Sequence, residues 1–436
     1  MAFPKDFLWG AAASSYQIEG GGLSEGRGEC IWHRFSHTPG KVQDGDTGDV
    51  ACDHLHLYKD DVKLMADLGL QAYRFSVSWP RVIPAGTGRV NEMGLDFYDR
   101  LVDELLRYGI QPYLTLYHWD FPQALQDKGG WASPDSVAWF AEYTEVMTRA
   151  LGDRVRSWIT LNEPWCISIL SNLFGQHAPG LSDPATAYRV AHHLHLAHGA
   201  AMGVIRQNCP GVPAGITFNL TPTEPADPNK PEDVMAAQFF DGQFNRWFLD
   251  PVFKGTYPAD MVAFYGDALD GLDLDAVKAA AVPIDFLGIN YYNRTVMAAS
   301  GEPNLPADAE YTEMGWEVYP QGLTDLLVRV YRDYAPGAIY ITENGAAFDD
   351  PAPVDGIVDD PRRVEYLKGH LLACDNAIIQ GVPLKGYFVW SLMDNFEWSF
   401  GYSKRFGIVY VDYATQQRTP KQSARFYQAM IAREAV

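Results

Sequence analysis

Short, nearly unbroken apolar runs recur along the whole chain, at residues 7–12, 72–77, 112–116, 158–161, 214–218, 286–290, 339–342 and 386–390. Most lack the apolar–polar alternation of a strand with one wet face, so they predict strands covered on both faces, as in a parallel sheet. Between them the period changes. Leu55, Tyr58, Val62 and Met65 fall at three- and four-residue intervals and are followed by Gly69. Leu95, Tyr98, Val102 and Leu105 repeat the spacing before Gly109, and Val364, Leu367, Leu371, Cys374 and Ile378 repeat it before Gly381. This spacing lines one face of a helix, and the glycine suits the turn that ends it. Strand, helix and glycine in repeated order predict eight βα units, hence one (β/α)8 barrel domain over residues 1–436 with extended βα loops. The Pro- and Asp-rich stretches 221–233 and 301–309 read as loop insertions rather than linkers.

A barrel predicts that chemistry gathers where the strands end. The first run leads to Tyr16, Gln17 and Glu19; the second holds Arg74 and leads to Trp79; the third leads to His118 and Trp119. The fourth leads to Asn162 and Glu163, the fifth to Asn219, the sixth to Asn290 and Tyr292, the seventh to Glu343. The eighth ends at Trp390, with Glu397 and Trp398 just beyond. Glu163 and Glu343 stand out. A carboxylate closing a buried strand costs several kcal/mol unless it is paired. Two of them facing one pocket are the equipment for cleaving an acetal between sugars.

Composition narrows the field. The 436 residues carry a net charge of −21, from 34 basic and 55 acidic side chains, which argues against nucleic acid or an anionic membrane as a partner. The five cysteines are scattered without a C-x-x-C pair, so neither a disulfide framework nor a zinc site is expected. No secretory signal opens the sequence and no run of 18 apolar residues occurs. A cytoplasmic protein is expected, unless a leader precedes it. Aromatics make up 13% of residues, including 12 tryptophans, a surplus that suits stacking against pyranose rings.

Seven motifs then occur in order: Phe-Leu-Trp-Gly-Ala-Ala-Ala-Ser-Ser-Tyr-Gln-Ile-Glu-Gly, Tyr-Arg-Phe-Ser-Val-Ser-Trp-Pro-Arg, Leu-Tyr-His-Trp-Asp, Thr-Leu-Asn-Glu-Pro, Gly-Ile-Asn-Tyr-Tyr, Ile-Thr-Glu-Asn-Gly and Trp-Ser-Leu-Met-Asp-Asn-Phe-Glu-Trp. Together they resemble a glycoside hydrolase family 1 β-glucosidase. The resemblance implies Glu163 as acid/base and Glu343 as nucleophile of a retaining mechanism, with carboxyl groups about 5–5.5 Å apart. It implies that Arg74 contacts the nucleophile and keeps it ionised, that Tyr292 donates to the same carboxylate, and that Asn290 belongs to the catalytic group. Glu163 is then the proton carrier, raised by burial and by the charge of Glu343. Pro164 biases Glu163 toward extended backbone.

The resemblance also implies a sugar subsite. Gln17, His118, Glu397 and Trp398 would bind the 3-, 4- and 6-hydroxyls, with Trp119 beside His118. Asn162 would bind the 2-hydroxyl, and Trp390 would lie beneath the ring. Trp165, Cys166, Asn219, Trp316 and Phe406 would line the aglycone entrance. The segment Ser171-Asn172-Leu173-Phe174-Gly175 departs from the pattern common there, which leaves the preferred leaving group open. Glu397 is expected to place an anion where a 6-phosphate would go and so to favour unphosphorylated sugars.

The expected function is a retaining exo-acting β-glucosidase on small β-glucosides and short oligosaccharides, with β-galactosidase and β-fucosidase side activity. A 6-phospho-β-glycosidase, a transglycosylase and a sugar-binding protein without catalysis are the competing readings; the last predicts loss of one carboxylate. No cofactor and no metal are expected, and a monomer or a homo-oligomer is equally compatible. His192, His193, His195 and His198 read as helix packing, since no carboxylate motif accompanies them. The acidic stretch 44–53 lacks the spacing of a calcium loop.

Overall fold

The computed structural model describes residues 1, 3–304 and 306–434, and within them the eight apolar runs become eight strands of one closed barrel. They are β1 (Leu8–Ala12), β2 (Ala72–Ser76), β3 (Gln111–Tyr117), β4 (Ser157–Asn162), β5 (Ala214–Asn219), β6 (Phe286–Asn290), β7 (Ile339–Asn344) and β8 (Leu384–Trp390). Each pairs in parallel with its sequence neighbours, and β8 closes on β1 through Leu8 opposite Gly386 and Ala12 opposite Trp390. Strands covered on both faces need no polar alternation. One face meets the helices. The other fills the barrel, where Tyr113 of β3 reaches Phe388 of β8 with ring centres 5.2 Å apart, across two intervening strands. Ala12 and Ala72 make room for these rings in the same cluster.

The periodic segments form helices His54–Asp67, Glu92–Arg107 and Pro361–Ile379. The crossover between β5 and β6 differs from the simple repeat. It is broken into Pro231–Asp241, Trp247–Lys254 and Ala259–Tyr265, with a 3-10 segment Leu274–Ala280 before β6. Gly255 at φ 67° and Pro258 separate two of these pieces, as residues that end and start helices do. The insertion at 221–233 is more than a loop. Its Thr223–Pro225 pairs in parallel with Thr295–Met297, which adds a small two-stranded layer beyond β5 and β6. In the 301–309 insertion Pro303 bridges to Met297, while Leu305 lies outside the described residues.

Three features align the strand ends for chemistry. The ladder is irregular between Ile159 and Asn162 of β4, between Ile289 and Asn290 of β6, and between Tyr387 and Val389 of β8. Irregularities of this kind re-aim side chains at the rim of a barrel. Gly345 lets β7 pass under β8, because a Cβ there would fall 1.6 Å from the carbonyl oxygen of Trp390. Finally, Asp394 fixes the loop after β8. Itself buried, it accepts hydrogen bonds from Lys421 Nζ at 2.7 Å, Arg405 Nη1 at 2.7 Å and the Gly407 amide at 3.0 Å. A buried carboxylate is tolerated when its lone pairs are satisfied in this way, and the anchor holds Glu397 and Trp398 three and four residues downstream.

Candidate active site

A cavity of about 390 Å³ opens at the C-terminal ends of the strands. Glu163 and Glu343 both line it, together with His118, Trp119, Trp165, Cys166, Asn219, Asn290, Tyr292, Trp316, Trp390, Glu397, Trp398 and Phe406. Gln17, Arg74 and Asn162 stand behind this surface, fully buried, and reach it through hydrogen bonds.

The two carboxyl groups belong to one network. Arg74 Nη1 donates to Glu343 Oε1 at 2.5 Å, and Tyr292 donates to Glu343 Oε2 at 2.7 Å. Asn290 Nδ2 donates to Glu163 Oε1 at 2.7 Å, and the thiol of Cys166 donates to Glu163 Oε2 at 3.2 Å. Asn162 joins the halves: its Oδ1 accepts from Arg74 Nη2 at 2.6 Å and from Asn290 Nδ2 at 3.1 Å. Thr342 orients Asn290 from below, donating to its Oδ1 at 2.7 Å.

Glu163 does not take the extended backbone expected before Pro164. Its φ is +52°, in the left-handed region, while its amide still bonds to the carbonyl of Thr217 on β5 at 2.9 Å. The strand bond holds the amide, and the chain turns at once into the helical segment that begins with Pro164, where the Ile167 amide already bonds back to the Glu163 carbonyl. Trp119 and Trp398 also have positive φ, at 82° and 51°. Each such conformation in a non-glycine residue costs about 1–3 kcal/mol, and this strain collects at sites where side-chain direction matters more than backbone comfort.

Burial divides the two carboxyls. It pushes Glu163 up to about 8, and the neighbouring charge of Glu343 adds to the effect. Burial pushes Glu343 up as well, but Arg74 and the Tyr292 hydroxyl pull it back. Arg74 therefore moderates the nucleophile against desolvation rather than setting it alone, and Glu343 is the first of the pair to ionise. Tyr292 stays protonated and able to donate, because burial and then Glu343 hold it well above the ordinary phenol value.

Around the sugar side, His118 stacks near Trp390, with centroids 5.8 Å apart and planes 21° apart. Its Nε2 accepts from Asn162 Nδ2 at 3.1 Å, since the Oδ1 of that amide is already taken. Burial, then the charge of Arg74, keeps the ring neutral. The proton then sits on Nδ1, which is buried without a protein partner. Gln17 holds Glu397 rather than facing the cavity: its Nε2 donates to Glu397 Oε2 at 3.3 Å, Asn395 Oδ1 at 3.0 Å and the Phe396 carbonyl at 2.9 Å. Trp119 spends its indole N–H on the Asn162 carbonyl at 3.0 Å and serves as wall. Trp398 packs between Trp32 and Trp119, both at 4.6 Å.

Glu397 corrects an expectation. Burial, then Glu343 and Glu163, push it up to about 8, so at neutral pH it is mainly a carboxylic acid and not the anion foreseen. The physical reason is first that burial strips water from the carboxylate, and then that two further carboxyl groups share the cavity.

The entrance is aromatic. Trp316 lies 5.1 Å from Tyr292 and 6.1 Å from Phe406, and Trp165 lies 4.6 Å from Phe244. Asn219 Nδ2 points at Cys166 Sγ, 3.7 Å away. Phe244, Met314, Leu170, Gln176, His177 and Phe400 line the cavity too and were not foreseen. Leu170, Phe244 and Phe400 sit in short helical segments beyond the strands and the others in loops, and only the aromatic surplus hints at them. In the divergent segment, Ser171 and Asn172 turn inward to bond the carbonyls of Cys166 and Ile167, and Phe174 stands exposed at the rim.

Three strand-end residues fall outside the site. Glu19 is buried against Arg81 at 2.9 Å and the Tyr98 hydroxyl at 2.6 Å. Trp79 is core, stacked on Tyr143 at 4.7 Å. Tyr16 supports Trp398 from behind with parallel rings 6.3 Å apart. The histidines of helix Pro184–Asn208 pack separately, as expected: His192 and His195 face the Tyr257 hydroxyl, His193 the Trp131 carbonyl and His198 the Thr160 hydroxyl.

A closed (β/α)8 barrel whose rim holds two buried carboxyl groups, one bound by Arg and Tyr and one by Asn and Cys, is the architecture of a glycoside-cleaving enzyme. The chain belongs to glycosyl hydrolase family 1: residues 1–436 match the model of that family. It is 50% identical to "Beta-glucosidase A" of Thermotoga maritima over 98% of this chain and 97% of that one. It is 43% identical to the "Bifunctional beta-D-glucosidase/beta-D-fucosidase" of Bifidobacterium breve, over 99% and 98%. The solved structure of the Thermotoga maritima β-glucosidase with galacto-hydroximolactam superimposes with a TM-score of 0.96 at 49% identity, covering 99% of each chain.

Proposed function

We propose that this protein is a retaining exo-β-glucosidase. The observation that carries the reading is the asymmetric pair: Glu343 bound by Arg74 and Tyr292, and Glu163 raised to about 8 in the same cavity. Glu343 attacks the anomeric carbon while Glu163 protonates the leaving oxygen. Esterification of Glu343 removes its charge, the pKa of Glu163 falls, and Glu163 then takes a proton from the incoming water. Asn290 orients Glu163, and Asn162 links it to Arg74.

The sugar sits on Trp390. The ring of His118 flanks it, and the acid form of Glu397, steadied by Gln17, serves its hydroxyls. Asn162 Nδ2 keeps one N–H for the 2-hydroxyl, where hydrogen bonds strengthen in the transition state. Trp165, Trp316 and Phe406 hold the aglycone. None of these contacts demands one configuration at C4, and the relatives that act on fucosides or bind a galacto-configured inhibitor support tolerance there. A 6-phosphate finds little welcome. No Lys or Arg is among the residues lining the cavity, and the guanidinium behind it, that of Arg74, is already bound by Glu343.

Among the described residues no helix is long and apolar enough to cross a membrane, and all five cysteines are buried free thiols, which suits the reducing cytoplasm. The reading is tested by following hydrolysis of an aryl β-glucoside by NMR: β-glucose is released first, and α-glucose first would exclude retention.

A further inference from the structure

Outside the cavity, one cluster sets two imidazoles against a single carboxylate. His33 lies in the helix Ile31–Ser36, His37 caps its end one turn on, and Asp49 arrives from the loop beyond. The Nδ1 of His37 meets the carbonyl of His33 at 2.7 Å, so it must carry the proton. In a neutral imidazole the other nitrogen is then a bare lone pair, and it faces Asp49 Oδ2 at 3.0 Å. His33 Nδ1 lies 3.3 Å from Asp49 Oδ1, an ion-pair contact looser than a well-formed hydrogen bond, and neither atom has another partner. All three ligand atoms fall within 4.8 Å of one another.

We propose that His33 Nδ1, His37 Nε2 and Asp49 form a site for a divalent transition-metal ion of the zinc type. Two imidazoles and a carboxylate are borderline ligands suited to such an ion. At metal–ligand distances of about 2.0–2.1 Å a tetrahedron has edges of roughly 3.3 Å; His33 Nδ1 lies 3.3 Å from Asp49 Oδ1 and His37 Nε2 lies 3.0 Å from Oδ2, so the two imidazoles approach the two oxygens of one carboxylate at that scale, with the ligand atoms within 4.8 Å of one another. The carbonyl of His33 acts as the outer partner that fixes the tautomer and direction of a ligating histidine. The rings are 15% and 42% exposed, so an ion can enter and a water can complete the shell.

The ion would tie the end of the helix to the loop carrying Asp49. That helix holds Trp32 against Trp398 at 4.6 Å. The same loop lays Gly48 on the Tyr16 ring and accepts the Tyr402 amide at Asp46 Oδ2, 2.9 Å away. The site is thus a clamp behind the wall that carries Glu397 and Trp398, and it supplies no group to the reaction.

The test is to strip the full-length protein with EDTA, desalt it, and titrate it with Co²⁺ alone while reading visible absorption, then to displace Co²⁺ with Zn²⁺ and measure melting. Wild type should bind one ion per chain and melt higher with Zn²⁺. His33→Ala and Asp49→Asn should each weaken binding by about tenfold or more, with metal-free melting and aryl-glucosidase rates near wild type to show an intact fold. Absence of one-to-one binding by wild type, or binding by both variants equal to wild type, would overturn the proposal.

Discussion

Cys166 donates its thiol proton to Oε2 of Glu163 at 3.2 Å, on the oxygen opposite the one held by Asn290. The hydrogen bond favours the ionised form of Glu163 and so restrains the rise that burial causes. Replacing Cys166 with Val keeps the apolar bulk and removes the donor. The alkaline limb of kcat/KM should then move to higher pH, with a neutral-pH rate within a few-fold of wild type. A shift to lower pH, or none, would remove Cys166 from control of the acid.

The pH profile itself follows from the pair. The free-enzyme profile of kcat/KM falls on its alkaline side when Glu163 loses its proton, so that limb should have a midpoint near 8. Glu163→Gln should abolish the limb. Glucosides with poor leaving groups should lose roughly 10²–10⁴-fold in rate, because general-acid assistance is worth about that much, while dinitrophenyl glucosides lose far less. Equal losses for both classes of leaving group would contradict the assignment.

Burial of these carboxyls also bears on stability. Glu163 and Glu397 are raised from 4.5 to about 8 in the folded chain. Between those values the unfolded chain has released protons that the folded chain still holds, so stability falls as pH rises from 4.5 to 8. Glu397→Gln removes the acid without removing the side chain. Its melting point relative to wild type should therefore be more favourable at pH 8 than at pH 5, at the expense of substrate affinity. Calorimetry showing the same difference at both pH values would mean that Glu397 is not raised.

Substrate choice gives a separate check. Aryl β-glucoside, β-galactoside and β-fucoside should all be turned over, while the 6-phospho-glucoside should be poorer than the glucoside by a factor of at least about 10³, the scale set by an unpaired buried charge. Comparable kcat/KM for the phosphorylated and free sugars would reverse the preference.

The barrel is legible in the sequence because strands such as Trp158–Leu161 and Phe286–Asn290 are apolar on both faces, and their observed ends agree within a few residues. Glu163, Glu343, Arg74, His118 and Trp390 are legible as groups that close or follow those strands. What escapes is whatever depends on three-dimensional closeness. The positive φ of Glu163 arises from a bond to a neighbouring strand that overrides the bias of Pro164. The acid form of Glu397 arises from its burial, reinforced by two carboxyl groups more than fifty residues distant in sequence. Glu19 and Trp79 look like site residues by position, yet Arg81 and Tyr143 claim them for the core. Phe244, in the helical segment Gly242–Arg246, and Met314, in a loop, reach the cavity from insertions beyond the strand ends.

The division of labour between Glu343 and Glu163 is tested most directly by Glu343→Gly with and without azide. Hydrolysis of an activated aryl β-glucoside should fall by more than about a thousandfold, the scale of losing a covalent nucleophile. Added azide should enter the vacated space and restore turnover, with α-glucosyl azide as the product. A variant that hydrolyses at close to the wild-type rate without azide, or that yields the β-azide, would contradict Glu343 as the nucleophile.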